Sequence, residues 1–340
     1  MKWSSRELAL CGLIIGAGCG SELPNVDEAD PGNTVISLGL NGAMAPTRGL
    51  VWERDDGFLL SGHTVPTVLS LNPGFLLFAS APERGRISMH QSMDGLAWES
   101  RGFLDLSGLP VQCSRTVLDV SVQHIEGGYR VVVETWERSS GLMDPSGQAR
   151  PQEESPTVFC ALESSDAQNW TPVGQPLQWP GLSRSWPSGL EFLGPESSGL
   201  FYYVDTYPDL DGIRTGEFNQ GQFTTKGERK TLLPEAHVDP LPVALEGGGV
   251  RLYHSRALEG ILAVSDSKDG RNFGESRPLQ GLSGQVCHAP PERPSPPDAC
   301  FLDPSLLRTS DGRSVLYFSV FESLRGGVER RGIGRAFAVD

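Results

Sequence analysis

The 340-residue chain has little of several things. It has 28 Lys and Arg against 42 Asp and Glu, a formal charge of −14. Such an acidic chain repels phosphate backbones and anionic headgroups, which argues against a nucleic-acid partner. Its six cysteines include no Cys-x-x-Cys, and its six histidines no His-x-x-x-His, so no zinc spacing is present. There is no Gly-x-Ser-x-Gly elbow and no phosphate-cradling glycine loop leading a strand into a helix. Helical periodicity is almost absent, and no apolar run approaches the roughly 18 residues of a membrane span.

What is present begins at the N-terminus. Lys2 and Arg6 precede an apolar stretch from Leu8 to Ala17, then Gly18-Cys19-Gly20-Ser21. A short basic region, an apolar core and small residues read as an export signal over residues 1–18. The cysteine after "IIGAG" resembles a bacterial lipoprotein signal, which implies lipidation of Cys19 and a cell-envelope location; an ordinary signal with a later cut is the alternative. Residues 19–47 read as a polar tether and residues 48–340 as the folded domain. Loss of residues 1–18 removes Lys2, Arg6 and Glu7 and leaves a charge of about −15. Cys113, Cys160, Cys287 and Cys300 remain, and export makes two disulfides the expectation. Of three connectivities, Cys113–Cys160 with Cys287–Cys300 is favoured, the second closing the proline-rich "CHAPPERPSPPDAC".

The folded domain is a repeat. Five apolar runs, "GHTVPTVLSL", "RTVLDVSVQHI", "SWPSGLEFL", "HVDPLPVAL" and "CFLDPSLLRT", begin near residues 63, 116, 184, 237 and 300. Each leads through a glycine-rich turn into a second β-type run and then a third. Four short antiparallel strands per repeat, five times over, predict an all-β, five-bladed β-propeller. The last repeat lacks a fourth strand after "GIGRAFAVD", and "RGLVWERDDGFLLSG" at the N-terminal side can supply it, closing the ring without a free edge.

Three of the third strands run into a Ser-x-Asp pattern followed by an aromatic residue. These are Ser92, Asp94, Gly95 and Trp98; Ser164, Asp166 and Trp170; Ser267, Asp269, Gly270 and Phe273. Serine and aspartate side chains bond backbone donors in such a turn, glycine supplies positive φ, and the aromatic packs between sheets. The pattern resembles the Asp-box of sialidases, which implies a structural role on the face opposite an active site.

If those turns mark the bottom, first-strand starts and second-strand ends lie on top. Aligned on Leu-Asp-Pro-Ser, the starts place Val65, Asp119, Trp186, Asp239 and Asp303, flanked by His63, Arg184 and His237. The second-strand ends bring Glu134, Trp136, Asp205, Tyr207, Arg256 and Glu322. Carboxylates and ring faces converging on one axial funnel suit a polyhydroxylated sugar. The layout resembles the five-bladed arabinanase and β-xylosidase glycoside hydrolases. That resemblance implies a base or nucleophile Asp in the first blade, an orienting Asp in the second and an acid Glu in the third. Carried over by position, these become Val65, which cannot act as a base, Asp119, and either Glu191 or Asp205. A sialidase would need an arginine triad, for which Arg115, Arg184 and Arg256 are candidates, but "RIP" is absent.

The resulting expectation is a monomeric, lipid-anchored propeller that binds carbohydrate, with Asp119, Asp239 and Asp303 as candidate catalytic groups and no cofactor. Whether the acidic funnel takes a metal stays open. The rival is a non-catalytic scaffold binding another protein, which predicts an exposed apolar patch instead.

Overall fold

The structure is a computed structural model and describes residues 50–81, 85–113, 116–136, 157–177, 187–194, 199–205, 212–219, 222–224, 232–233, 237–245, 248–257, 259–282, 299–324 and 328–339. It is a five-bladed propeller of antiparallel sheets. The chain enters through β1 (Trp52–Arg54) and β2 (Leu60–Ser61), which belong to the last blade. Blade 1 is β3 (Thr64–Ser70), β4 (Phe75–Ser80), β5 (Ile87–Ser92) and β6 (Glu99–Phe103). Blade 2 is β7 (Thr116–Ile125), β8 (Gly128–Trp136), β9 (Thr157–Ser164) and β10 (Thr171–Pro172). Blade 3 is β11 (Pro187–Phe192), β12 (Leu200–Asp205), β13 (Ile213–Asn219) and β14 (Gln222–Thr224). Blade 4 is β15 (His237–Ala244), β16 (Val250–Arg256), β17 (Ile261–Ser267) and β18 (Arg277–Pro278). Blade 5 is β19 (Ala299–Arg308), β20 (Ser314–Leu324) and β21 (Val328–Ala338).

The closure expected from the sequence is present. β1 pairs antiparallel with β21, Trp52 opposite Ala338, and β2 adds Leu60 opposite Ile333. The N-terminal strand thus supplies the outer edge of the blade formed by the C-terminus.

Strand alternation divides each blade between two neighbours. In β4, Leu76 and Phe78 pack with Val120, Val131 and Leu162 of blade 2, while Leu77 and Ala79 pack with Val315 and Tyr317 of blade 5. Equivalent clusters join blades 2 and 3 through Phe159 and Phe201, 3 and 4 through Tyr202 and Leu252, and 4 and 5 through Tyr253 and Phe318. Five apolar interfaces, one per pair of neighbours, form the core. The first strands contact one another in a ring, β3 to β7 to β11 to β15 to β19 and back to β3, and so line the axis.

Cys113 and Cys160 form the expected disulfide, with Cα atoms 6.0 Å apart. Cys300 is also disulfide-bonded; Cys287, its expected partner, lies outside the described residues, as do Cys19, the leader and the tether. No described helix is long and apolar enough to cross a membrane.

Candidate active site

Every first strand carries a β-bulge near its start. The register slips between Thr64 and Thr67, Val117 and Asp119, Ser188 and Glu191, Val238 and Leu241, and Leu302 and Ser305. At the bulge, Val65, Asp239 and Asp303 adopt φ of 52°, 53° and 53°, and Gly189 adopts 59°. A bulge bends its strand and re-aims side chains, here at the axial end of the innermost strand. Gly189, not Trp186, is therefore the third-blade residue in register with Val65, Asp239 and Asp303. Asp119 follows its bulge by one position, where the other strands have Pro66, Leu190, Pro240 and Pro304.

The bulges are latched from the preceding blade. Val65 N donates to Ser319 Oγ at 2.8 Å. Asp303 N donates to Ser255 Oγ at 3.2 Å and to Asp239 Oδ2 at 3.3 Å. Gly189 N donates to Glu134 Oε2 at 2.9 Å, and Ser188 Oγ to Glu134 Oε1 at 2.8 Å. Asp239 thus has a structural duty in addition to any chemical one.

The carboxyls of Asp119, Glu191, Asp239 and Asp303 converge. Each is half-buried, reached by solvent but enclosed elsewhere by protein. Burial raises Asp119 well above the usual carboxylate range, reinforced by the charges of Glu134, Glu191 and Asp303 and opposed by the Val120 N–H at 2.6 Å. Blades 2 and 5 are not neighbours, so the influence of Asp303 on Asp119 crosses the axis. Burial likewise raises Glu191 well above its ordinary value. Asp303 is raised well above by burial and then by the charge of Asp239. Asp239 is raised by burial, against bonds from the Ser255 hydroxyl and from Asp303.

The other candidates fall into separate groups. Asp205 is fully buried beside Arg214, 3.7 Å from Nη1. Glu322 faces Arg54 at 3.5 Å and Arg330 at 3.8 Å, and Arg256 pairs with Glu259. His63 lies edge-on to His90, with centroids 5.7 Å apart, and His237 lies 4.9 Å from His254. Burial lowers His90 to about 4, helped by His63. Burial lowers His254 to about 3, with His237 adding to it. Arg115, Arg184, Trp186 and Tyr207 lie outside the described residues, and of Trp136 only the backbone is described. Among the described residues, no group of three or more His, Cys, Asp or Glu is arranged to hold a metal ion.

The Ser-x-Asp turns occupy the opposite end. Asp94 Oδ1 accepts from Leu96 N at 2.8 Å, Ala97 N at 3.0 Å and Ser92 Oγ at 2.9 Å. The Ala97 N–H leads these donors in holding Asp94 down to about 2. Asp166 and Asp269 repeat the pattern. A cavity of about 450 Å³ between blades 1 and 2 also lies at this end, lined by Met89, Met93, Arg101, Tyr129 and Asp166 among others. It contains none of the axial carboxyls.

No protein-family model and no curated protein matches the chain. Solved structures do. A xylan β-1,4-xylosidase from Bacillus halodurans C-125 superposes with a TM-score of 0.55 at 12% identity, over 83% of this chain and 54% of its own. An α-L-arabinofuranosidase from Lactobacillus brevis gives 0.55 at 14%, over 83% and 92%. An endo-arabinase from Bacteroides thetaiotaomicron gives 0.52 at 12%, over 84% and 98%. Two further solved structures of this fold, one of them from Bacillus licheniformis, are named as family-43 glycoside hydrolases, at 12% and 14% identity. The likeness is one of fold, and this chain spans about half the length of the xylosidase.

Proposed function

We propose that this chain is an exported propeller, held at a membrane through lipid on Cys19, that binds extracytoplasmic carbohydrate at the axial carboxyl cluster. The carrying observation is that Asp119 on blade 2 lies within electrostatic reach of Glu191 on blade 3 and, across the axis, of Asp303 on blade 5. Carboxyls that retain protons offer both donors and acceptors to sugar hydroxyls. The fold shared with enzymes named for xylan and arabinan supports the same ligand class. The leader sequence and the favoured disulfides support export. We read the three Ser-x-Asp turns as Asp-boxes with a structural role.

Binding is favoured over hydrolysis by two features. Val65 stands at the first-blade position where the related enzymes' base is expected. Asp239 Oδ2 accepts from the Asp303 N–H at 3.3 Å, which ties this carboxylate to the neighbouring bulge. The pair left for hydrolysis is Asp119 with Glu191. A glycan array with a parallel hydrolysis assay on the mature chain tests the proposal. Arabino- or xylo-oligosaccharides should bind saturably without product, and Asp119→Asn should weaken binding about tenfold or more. Turnover abolished by Asp119→Asn would establish hydrolysis instead. Absence of any glycan binding would overturn the reading.

A further inference from the structure

Three bulge latches perform the same task with different chemistry. Blades 4 and 5 each hold the next blade's N–H with a hydroxyl, Ser255 Oγ at 3.2 Å and Ser319 Oγ at 2.8 Å. Blade 2 uses the carboxyl of Glu134, which is 2% exposed. A serine alone suffices for the latch at Val65, while at Asp303 the Asp239 carboxylate, 3.3 Å from the same N–H, shares the task. A buried carboxylate is far costlier to desolvate than a hydroxyl. Both Glu134 oxygens accept, one from Ser188 Oγ at 2.8 Å and one from Gly189 N at 2.9 Å, which favours the ionised form. Opposite Asp119 on the neighbouring strand, that charge faces the axial cluster.

We propose that Glu134 is a positioning residue for the axial site, fixing the bulge that carries Glu191 and making Asp119 the hydrogen-bond donor of the Asp119–Glu191 pair. The assignment rests on the axial cluster being the ligand site. It places the donor on blade 2, whereas the resemblance to the glycoside hydrolases puts the acid on blade 3. The groups facing Asp119 are Glu134, Glu191 and Asp303, all of one sign, and each adds to the effect of burial. A charge on Glu134, opposite Asp119 in the strand register, disfavours a second charge on Asp119. A ligand oxygen at this point would therefore accept from Asp119.

The test is a carboxyl ¹³C titration of the full chain, with the Asp119 signal assigned through Asp119→Asn. Glu134→Gln removes the charge and should lower the Asp119 midpoint by more than one pH unit. Glu134→Asp keeps a charge and should retain most of the elevation. A folded Glu134→Gln protein in which Asp119 titrates as in the wild type would overturn the proposal. Should Glu134→Gln fail to fold, Ser188→Ala gives the decision. It cuts one latch bond and keeps the charge, so Asp119 should titrate as before while affinity for a xylo- or arabino-oligosaccharide falls about three- to tenfold. A midpoint drop in Ser188→Ala, or unchanged affinity, would overturn the proposal. The titration needs no ligand, so failure of the wild type to bind any oligosaccharide sinks the carbohydrate reading separately.

Discussion

Val65 holds φ of 52° with a β-branched side chain, a conformation suited to glycine and tolerated by aspartate. Asp239 and Asp303 occupy the same bulge position with short polar side chains, and Gly189 occupies it with none. Valine makes no polar contribution there, so its strain is uncompensated. Val65→Gly should raise stability by about 0.5–1 kcal/mol, the relief of roughly 1–2 kcal/mol being partly offset by glycine's greater unfolded-state freedom. Urea denaturation midpoints measure it, and a loss of stability would mean that the valine methyls pack usefully. The opposite case is Gly95, at φ of 76°, where an added Cβ would lie 2.4 Å from Leu307 Cδ2. Gly95→Ala should cost about 1–3 kcal/mol in the same assay. Ala167 occupies the equivalent turn position at φ of 58°, which shows that the turn accepts the strain when the neighbour leaves room. Glycine in the turns was legible from sequence because turn chemistry is local. Strain at Val65 was not, since nothing in "HTVPT" announces a bulge; it is imposed by pairing with β4 and by the axial ring.

At the scale of elements, each Ser-x-Asp turn is a bolt between blades. Its aromatic residue packs edge-on against a second-strand aromatic of the preceding blade: Trp98 on Tyr317, Trp170 on Phe78 and Phe273 on Tyr202. The tyrosine hydroxyls donate back to the turn, Tyr202 to the Gly270 carbonyl at 2.7 Å and Tyr317 to that of Gly95. Trp98→Ala should therefore cost about 3 kcal/mol while leaving oligosaccharide affinity unchanged, because the axial cluster lies at the other end of the blades. Calorimetry with a binding titration checks both halves, and lost affinity at an unchanged melting temperature would contradict the assignment of the two ends. Blades, turns and ring closure could be read from sequence because alternation and turn residues repeat within each unit. The partners of the axial residues could not. Glu134 meets Ser188 and Gly189 across a blade boundary, and ring closure brings Arg54 to Glu322, which already faces Arg330 across its own hairpin. Asp205 reads as one more funnel acid until Arg214, on the next strand, is placed beside it.

The whole ring joins two titrating systems of opposite sign. At the axis, Asp119, Glu191, Asp239 and Asp303 are raised above their unfolded values. Their contribution to stability is fully present below about pH 4 and is lost as pH rises through the raised folded values. His90 and His254, lowered to about 4 and about 3, contribute fully above about pH 6.5 and lose their effect as pH falls towards those values. The two trends oppose each other between about pH 4 and 6.5. Above that window His90 and His254 are neutral in both states and add no further slope. An axial carboxyl that keeps its proton after the unfolded chain has released its own loses about 1.4 kcal/mol of stability per pH unit until that proton is lost. Any decline in stability beyond pH 6.5 therefore reports axial carboxyls still protonated in the folded protein, where a protein whose carboxyls are all ionised shows a plateau. Asp303→Asn removes one retained proton and should make the decline shallower, even if the variant starts from a lower stability at pH 6.5. Urea midpoints at half-unit intervals measure both slopes. A flat wild-type profile across this range would mean that the axial carboxyls are ionised in the folded protein, and with them would go the donor role assigned to Asp119.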